Sequence, residues 1–215
     1  MRHDASFPAR VHPETVGVAD ASGPADGAGA PVHVRRLRGA LRIDGAGVTV
    51  AVRFRAPAGD VGVPQGVFSH AQDAVGWWVG LGADGRAAVG VGTSSGPVGI
   101  AVGSPVPAAS AVWLVARIPG RPGDRLSIEA RVDEDDPVSA AVVLGAPVLA
   151  GPGPLLWGCR SLIDGTVPVH PFAGTVEETY IVADAAAPAD PAALRHAPRL
   201  VAVWRMDDDA GESSP

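Results

Sequence analysis

The sequence is built from short apolar runs, each broken by glycine or proline. It contains 28 glycines and 21 prolines among 215 residues, and hydrophobic residues make up 47% of the chain. Residues 48–55 alternate strictly, because every second side chain is a large apolar one: Val48, Val50, Val52 and Phe54. Short alternating runs with frequent turns are typical of β-strands. The pattern therefore predicts an all-β sandwich of two antiparallel sheets with a sizeable core.

We expect about a dozen strands, and their predicted ranges are 32–38, 48–55, 66–71, 76–82, 86–91, 96–102, 112–118, 125–133, 139–144, 155–159, 175–182 and 200–206. The strongest turn signal is Asp84-Gly85 between two apolar runs, which predicts a hairpin. One short helix is expected over residues 191–196, with Asp190 as its N-cap and Pro198 beyond its end. No other helix is predicted.

The chain divides into an arm and a domain. Residues 1–30 are polar and rich in glycine, alanine and proline, so we expect a flexible or extended arm, followed by a sandwich domain over residues 31–215. The last strand runs into the segment 204–211, WRMDDDAG. It either folds back beside the N-terminal segment and closes its own sheet, or pairs with a neighbouring chain, since an open edge accepts another strand. The first arrangement is favoured.

Composition argues against several classes of function. The net charge is −6, which disfavours nucleic acid as a partner. No apolar stretch approaches the ~20 residues of a membrane span, and the N-terminus lacks the apolar segment of a signal peptide. The sequence therefore favours a cytoplasmic or particle-associated protein. Cys159 is the single cysteine, so no internal disulfide forms, and we expect it to be a buried small hydrophobe.

Two segments resemble a known family. Residues 172–181, FAGTVEETYI, match the pattern F-x-G-T-[IV]-[DE]-E-x-x-[IVL], and residues 39–45, GALRIDG, resemble G-x-A-L-x-F-D-G. Both patterns occur in laminin G-like domains of the concanavalin A-like lectin/glucanase superfamily. The resemblance implies a jelly-roll sandwich and a non-catalytic recognition module, with carbohydrate as the leading ligand class. The absence of a signal peptide and the long arm also leave open a structural or adaptor subunit of a larger assembly, such as a phage tail or injection particle, with a protein partner.

Trp78 is the leading candidate for ligand contact. Period-two alternation assigns Trp77, Val79 and Leu81 to the core, which leaves Trp78 on the opposite face among glycines and alanines. A flat indole beside a glycine-paved surface is a potential platform for a sugar ring. The alternative is that Trp78 packs beneath a loop or the arm, with the glycines only permitting close approach.

Polar neighbours for such a platform are His70, Arg160 and Asp164. His70 lies in the segment SHAQD, which is predicted as a loop between two strands, although the predicted strand 66–71 overlaps it. Arg160 and Asp164 lie in a loop after the LLWGC strand, with His170 near them, and form either a polar edge for a sugar or a local salt bridge that orders the loop.

Metal binding and catalysis have weaker support. No cofactor is expected; Ca²⁺ is a remaining alternative, with oxygen ligands drawn from Asp44, Asp73, Asp164 and the acidic runs 133–136 and 207–209. Cysteine and histidine are too sparse for zinc. A retaining glycosidase needs two carboxylates ~5–5.5 Å apart. Glu129 and Asp133 share a strand face, but Arg131 stands where the middle carboxylate of the glycosidase strand motif belongs, so we expect no enzyme activity, and a glycosidase on the same fold stays the second alternative.

Overall fold

The computed structural model describes residues 14–15, 35–37, 45–58, 62–72, 75–151, 153–163 and 167–205. It has one short helix, α1 (Pro191–Leu194), within these ranges. The strands are, in chain order, β1 (Glu14–Thr15), β2 (Arg35–Leu37), β3 (Val48–Arg55), β4 (Gln65–Gln72), β5 (Val75–Leu81), β6 (Ala87–Thr93), β7 (Gly96–Val102), β8 (Ala111–Ile118), β9 (Arg125–Val132), β10 (Val138–Val143), β11 (Leu155–Trp157), β12 (Cys159–Ile163), β13 (Val167–Pro171), β14 (Thr175–Val182) and β15 (Leu200–Arg205).

These strands form two antiparallel sheets. The first has the order β1-β2-β11-β4-β5-β6-β7, and β12 and β13 form a hairpin beside it. The second has the order β10-β9-β8-β3-β14-β15. One bridge between β12 and β4 is parallel. The predicted all-β sandwich with one short helix near the C-terminus is confirmed.

The core lies between the two sheets and follows the predicted alternation. Val50 and Phe54 of β3 and Trp77 and Val79 of β5 are fully buried in one apolar cluster. Burial of a large apolar side chain contributes about 1.5–3 kcal/mol, so a core of this size is the main source of stability. Cys159 is also fully buried, and burial raises the pKa of its thiol to about 12. Its predicted role as a small buried hydrophobe is confirmed.

An aromatic group joins the two sheets. The indole N–H of Trp157, on β11, donates to the hydroxyl of Thr179, on β14, over 3.0 Å. Phe68 and Trp204 pack on Trp157 with ring centroids 4.9 and 4.8 Å away. Because Trp204 belongs to β15, the last strand is anchored through the core as well as by its pairing with β14.

The outer face of the second sheet is covered by the segment 183–199. Leu194 of α1 is fully buried in a second apolar cluster with Tyr180 and Trp113. The indole N–H of Trp113 donates to the carbonyl of Ala189 over 2.8 Å. As predicted, Asp190 caps α1, accepting from the Ala193 backbone N–H over 2.9 Å. The helix ends at Leu194, two residues before the predicted end.

Several strand expectations need correction. The predicted strand 155–159 is broken at Gly158, whose φ of +81° turns the chain into β12. β13 was not predicted, because its sequence VPVHP contains two prolines. Glu14 and Thr15, inside the predicted arm, pair with β2. The last strand does not lie beside the N-terminal segment in the described residues, since β15 pairs with β14 in the other sheet; residues 206–211 lie outside the described residues.

The adjacent carboxylates Glu177 and Glu178 do not follow the strict alternation of a strand, because the register of β14 on β3 shifts between Val176 and Glu178, and both bind groups on the outer face of the second sheet. Glu178 is buried, and its Oε1 accepts hydrogen bonds from Tyr180, Arg195 and Arg205. Burial opposes ionisation of Glu178, but these hydrogen bonds outweigh it and hold the pKa of the carboxyl below its ordinary value. Glu178 therefore ties the segment after α1 and the last strand to β14.

Replacement of Glu178 by Gln should lower the free energy of unfolding by about 1.5–3 kcal/mol, because hydrogen bonds to a buried charge are lost. The matched control is Glu177→Gln. Glu177 binds Arg53 and Arg55 at 2.9 and 2.8 Å, but both arginines are more than half exposed, so the expected loss is below about 1 kcal/mol. Urea denaturation measures both variants. Equal losses would contradict the role given to Glu178.

Candidate ligand groove

A groove of about 230 Å³ lies on the outer face of the first sheet. Its floor is formed by glycines of β5, β6 and β7, and Trp78 and Arg160 stand at its side. We call it the glycine groove, and the residues that define it are Gly76, Gly90, Gly92, Gly99, Trp78 and Arg160. The structure thus brings together two of the four predicted ligand residues.

The register of three strands explains the shape of the groove. Trp78 of β5 lies opposite Gly90 of β6, and Gly90 lies opposite Gly99 of β7. A Cβ on Gly90 would overlap the indole of Trp78, so the ring lies across this residue. A Cβ on Gly99 would meet only the carbonyl of Val89, at an ordinary 3.5 Å. Trp78, Gly90 and Gly99 thus form a row across three strands. The indole covers this row at Gly90, and the row is open at Gly99.

Arg160 reaches the groove because β12 lies against the outer face of β4. A Cβ on Gly66 would overlap the backbone of Arg160, and the hydroxyl of Ser69 donates to the carbonyl of Cys159 over 2.9 Å. The guanidinium carbon of Arg160 lies 4.8 Å from the centroid of the Trp78 ring, which is a cation–π contact. Arg160 is half-buried, and burial lowers its pKa.

His170 lies next to Arg160, as predicted. Pairing of Cys159 with Pro171 and of Ser161 with Val169 places position 170 of β13 opposite position 160 of β12. Burial, and then the positive charge of Arg160, lower the pKa of the His170 side chain. At neutral pH this imidazole is therefore uncharged and can donate or accept a hydrogen bond.

His70 is not part of the groove, and its predicted position on a loop is wrong. It lies within β4, is 1% exposed, and is opposite Trp77, on the core face. Within the described part of the chain, neither of its ring nitrogens makes a hydrogen bond of regular geometry, and the indole N–H of Trp77 is also unpaired. Burial lowers the pKa of His70, and the nearby backbone of Gly153 opposes this only in part.

The remaining predicted oxygen ligands do not form a metal site in the described residues. Asp164, Asp44, Asp73 and residues 207–209 lie outside them. Asp133 accepts from the Ala111 backbone N–H over 2.9 Å and so stabilises the turn after β9. Within the described ranges, no three histidine, cysteine, aspartate or glutamate side chains are close enough to hold a metal ion.

A second depression, of about 340 Å³, lies on the other sheet beside the acidic turn 133–136. It is larger, but two of its lining side chains are already engaged: Arg53 binds Glu177, and the indole N–H of Trp113 binds a backbone carbonyl. Glu129 does not line it and lies 3.9 Å from Arg117. Glu129 and Asp133, the two carboxylates considered for a glycosidase, therefore do not line this depression together.

Comparison with known proteins adds the following. Among solved structures, the chain is similar to the native heptameric SAP-like pentraxin from Limulus polyphemus, with a TM-score of 0.47 and 13% sequence identity. The match covers 65% of this chain and 64% of the pentraxin chain, which is less than two thirds of either. No protein-family model matches the sequence, and no curated protein does. No helix in the described ranges has the length and apolarity to span a bilayer.

The burial of His70 makes stability depend on pH. In the unfolded chain the imidazole of His70 takes up a proton near pH 6.5. In the folded protein burial holds its pKa below that value, so protonation requires a lower pH. The free energy of unfolding should thus be highest above about pH 6.5 and fall as the pH is lowered below that value. In His70→Gln this loss should be smaller, while replacement of the exposed His196 by Gln should leave it unchanged. Urea denaturation at pH 7.5 and 5 checks this, and parallel curves for all three proteins would contradict it.

Proposed function

We propose that this protein is a non-catalytic recognition module of the concanavalin A-like lectin kind, which binds a carbohydrate in the glycine groove. The observation that carries the proposal is the open end of the row formed by Trp78, Gly90 and Gly99. Glycine inside a strand costs roughly 0.5–1 kcal/mol relative to alanine. Packing requires glycine at positions 66 and 90, because a Cβ on Gly66 or Gly90 would overlap a neighbour. Packing does not require it at Gly99, which has room for a Cβ.

The chemistry of the groove suits a single sugar ring. A pyranose has flat faces of C–H groups and hydroxyls around its edge, so it needs an apolar floor and polar groups at the rim. Gly92 and Gly99 supply a floor without side chains, and Arg160 supplies donors at the rim. The volume of about 230 Å³ is below the about 300–1,000 Å³ of pockets for drug-sized ligands. This favours one ring or the end of a chain.

Trp78 contributes in a different way from the stacking platform predicted from sequence. Arg160 lies over the indole, so the ring face that it covers is not open to a ligand. A sugar on the floor at Gly99 would meet the edge of the indole beyond Gly90. Trp78 is then a wall that fixes the position of the ligand, and its fluorescence remains sensitive to occupancy of the groove.

Gly99→Val should abolish saccharide binding, because the new side chain occupies the open end of the floor without meeting backbone closely. The β-branched side chain suits a strand, so the fold should be retained. The matched control is Gly145→Val, at a position outside the groove where a Cβ would have no atom within 4 Å beyond its chain neighbours. A saccharide panel read by tryptophan fluorescence and calorimetry is the measurement. Absence of binding by the unchanged protein, or equal binding by Gly99→Val, would refute the proposal.

A second candidate function, an adaptor subunit of a larger assembly, is supported by the edges of the second sheet. In the part of the chain that the structure describes, β10 pairs only with β9, and Val138 and Val143 on it are 43% and 56% exposed. An edge strand with apolar side chains is a template for pairing with another chain.

If the adaptor function is correct, light scattering should give a mass well above 21.6 kDa, and Val143→Lys should reduce it, because a charge on an edge strand opposes pairing. Val63→Lys is the control, since Val63 is 50% exposed outside the sheets. A monomeric mass for the unchanged protein at the highest soluble concentration would count against this candidate.

A further inference from the structure

We propose that the ligand of the glycine groove is an acidic saccharide whose carboxylate binds Arg160. The inference builds on the proposed function and specifies the class of saccharide. It comes from the charge balance around Arg160 rather than from the shape of the groove.

Arg160 differs from nine other arginines of the described residues. Six of these have acidic partners: Arg86 with Asp84, Arg117 with Glu129, Arg53 and Arg55 with Glu177, and Arg195 and Arg205 with Glu178. Arg121, Arg125 and Arg131 are exposed, so water solvates their charges. Arg160 is half-buried; its guanidinium lies over the indole of Trp78, and its charge acts on the neighbouring His170.

A half-buried cation without an anion is unfavourable, because burial removes water that its charge would otherwise retain. Burial is the cause that lowers the pKa of Arg160, and no acidic group among the described residues offsets it. The indole of Trp78 recovers part of this free energy through the cation–π contact. The residues of the described chain that line the groove beside Arg160 are otherwise uncharged, so this described lining has a net positive charge in a protein whose overall charge is −6.

The position of the guanidinium favours a carboxylate. The N–H groups of a guanidinium donate within its plane, where a carboxylate accepts two of them in parallel, and the cation–π contact with Trp78 does not itself use these donors. A single arginine matches the single charge of a uronic acid. A heavily sulfated chain would need several cations, and Arg160 is the one charged side chain among the described lining residues.

The experiment compares two matched ligands on the intact protein by calorimetry: the methyl glycoside of galacturonic acid and the methyl ester of that glycoside, which has the same ring without the charge. The acid should bind at least about tenfold more tightly than the ester, and added salt should reduce the difference. In Arg160→Gln the acid should bind no better than the ester. Arg160→Lys keeps the charge but loses the paired donors, so its preference should be intermediate.

Arg131→Gln is the matched control, because it removes an exposed arginine from the other sheet and should leave the preference unchanged. Thermal unfolding of each variant verifies that it is folded. Equal binding of acid and ester, or a preference that survives in Arg160→Gln, would overturn the inference while leaving the proposed function intact. No binding of any saccharide in a broad panel would overturn both. Displacement of the galacturonic acid glycoside by an equal concentration of acetate would show a general anion site and overturn the inference alone.

Discussion

Trp157 and its contacts determine where this protein can bind anything. Its indole spans the layer between the sheets, donates to Thr179 of the opposite sheet, and packs on Phe68 and Trp204. Interiors filled in this way are as dense as organic crystals and leave no room for a ligand. Binding is therefore restricted to the outer faces and the rims of the sandwich. The segment 183–199 covers part of one outer face, and β12 with β13 leaves the glycine groove open on the other.

Glycines have three different effects on that outer face. Gly66 admits the backbone of β12, and Gly90 admits the indole of Trp78. These two positions place the cation and the aromatic ring together at one side of the groove. Gly99 admits nothing within the described chain, so its missing side chain leaves space for a ligand. The site thus arises from close approach at two positions and from open space at a third.

The sequence predicted the sandwich well because strand alternation is a local property. The alternation of side chains along a strand is enough to predict which residues of β3 point into the core, and that Trp77 does so as well. β13 was not predicted because its prolines disfavour a strand. In the structure its pairing with β12 stabilises the extended backbone. The loop prediction for His70 was wrong because the polar residues around it are typical of a loop. The pairing of β4 with β5 places it opposite Trp77, on the core face.

The candidate site was only partly predictable. Alternation placed Trp78 on the outer face, but the contact between Trp78 and Arg160 depends on the turn at Gly158 and on the missing Cβ of Gly66, which no local pattern reveals. The importance of Gly99 follows from the pairing of β6 with β7. Asp164 lies outside the described residues, so its predicted role at the rim stays a prediction.

The shared carboxylate oxygen of Glu178 has a consequence for how the protein opens. One atom accepts from Tyr180 on β14, from Arg195 after α1 and from Arg205 on β15. Segments coupled through one group tend to detach together rather than fray one by one. Departure of β15 would loosen the cover over Trp113 and, through Trp204, one side of the packing around Trp157. We therefore expect β14, the segment 183–199 and β15 to open together as one cooperative unit.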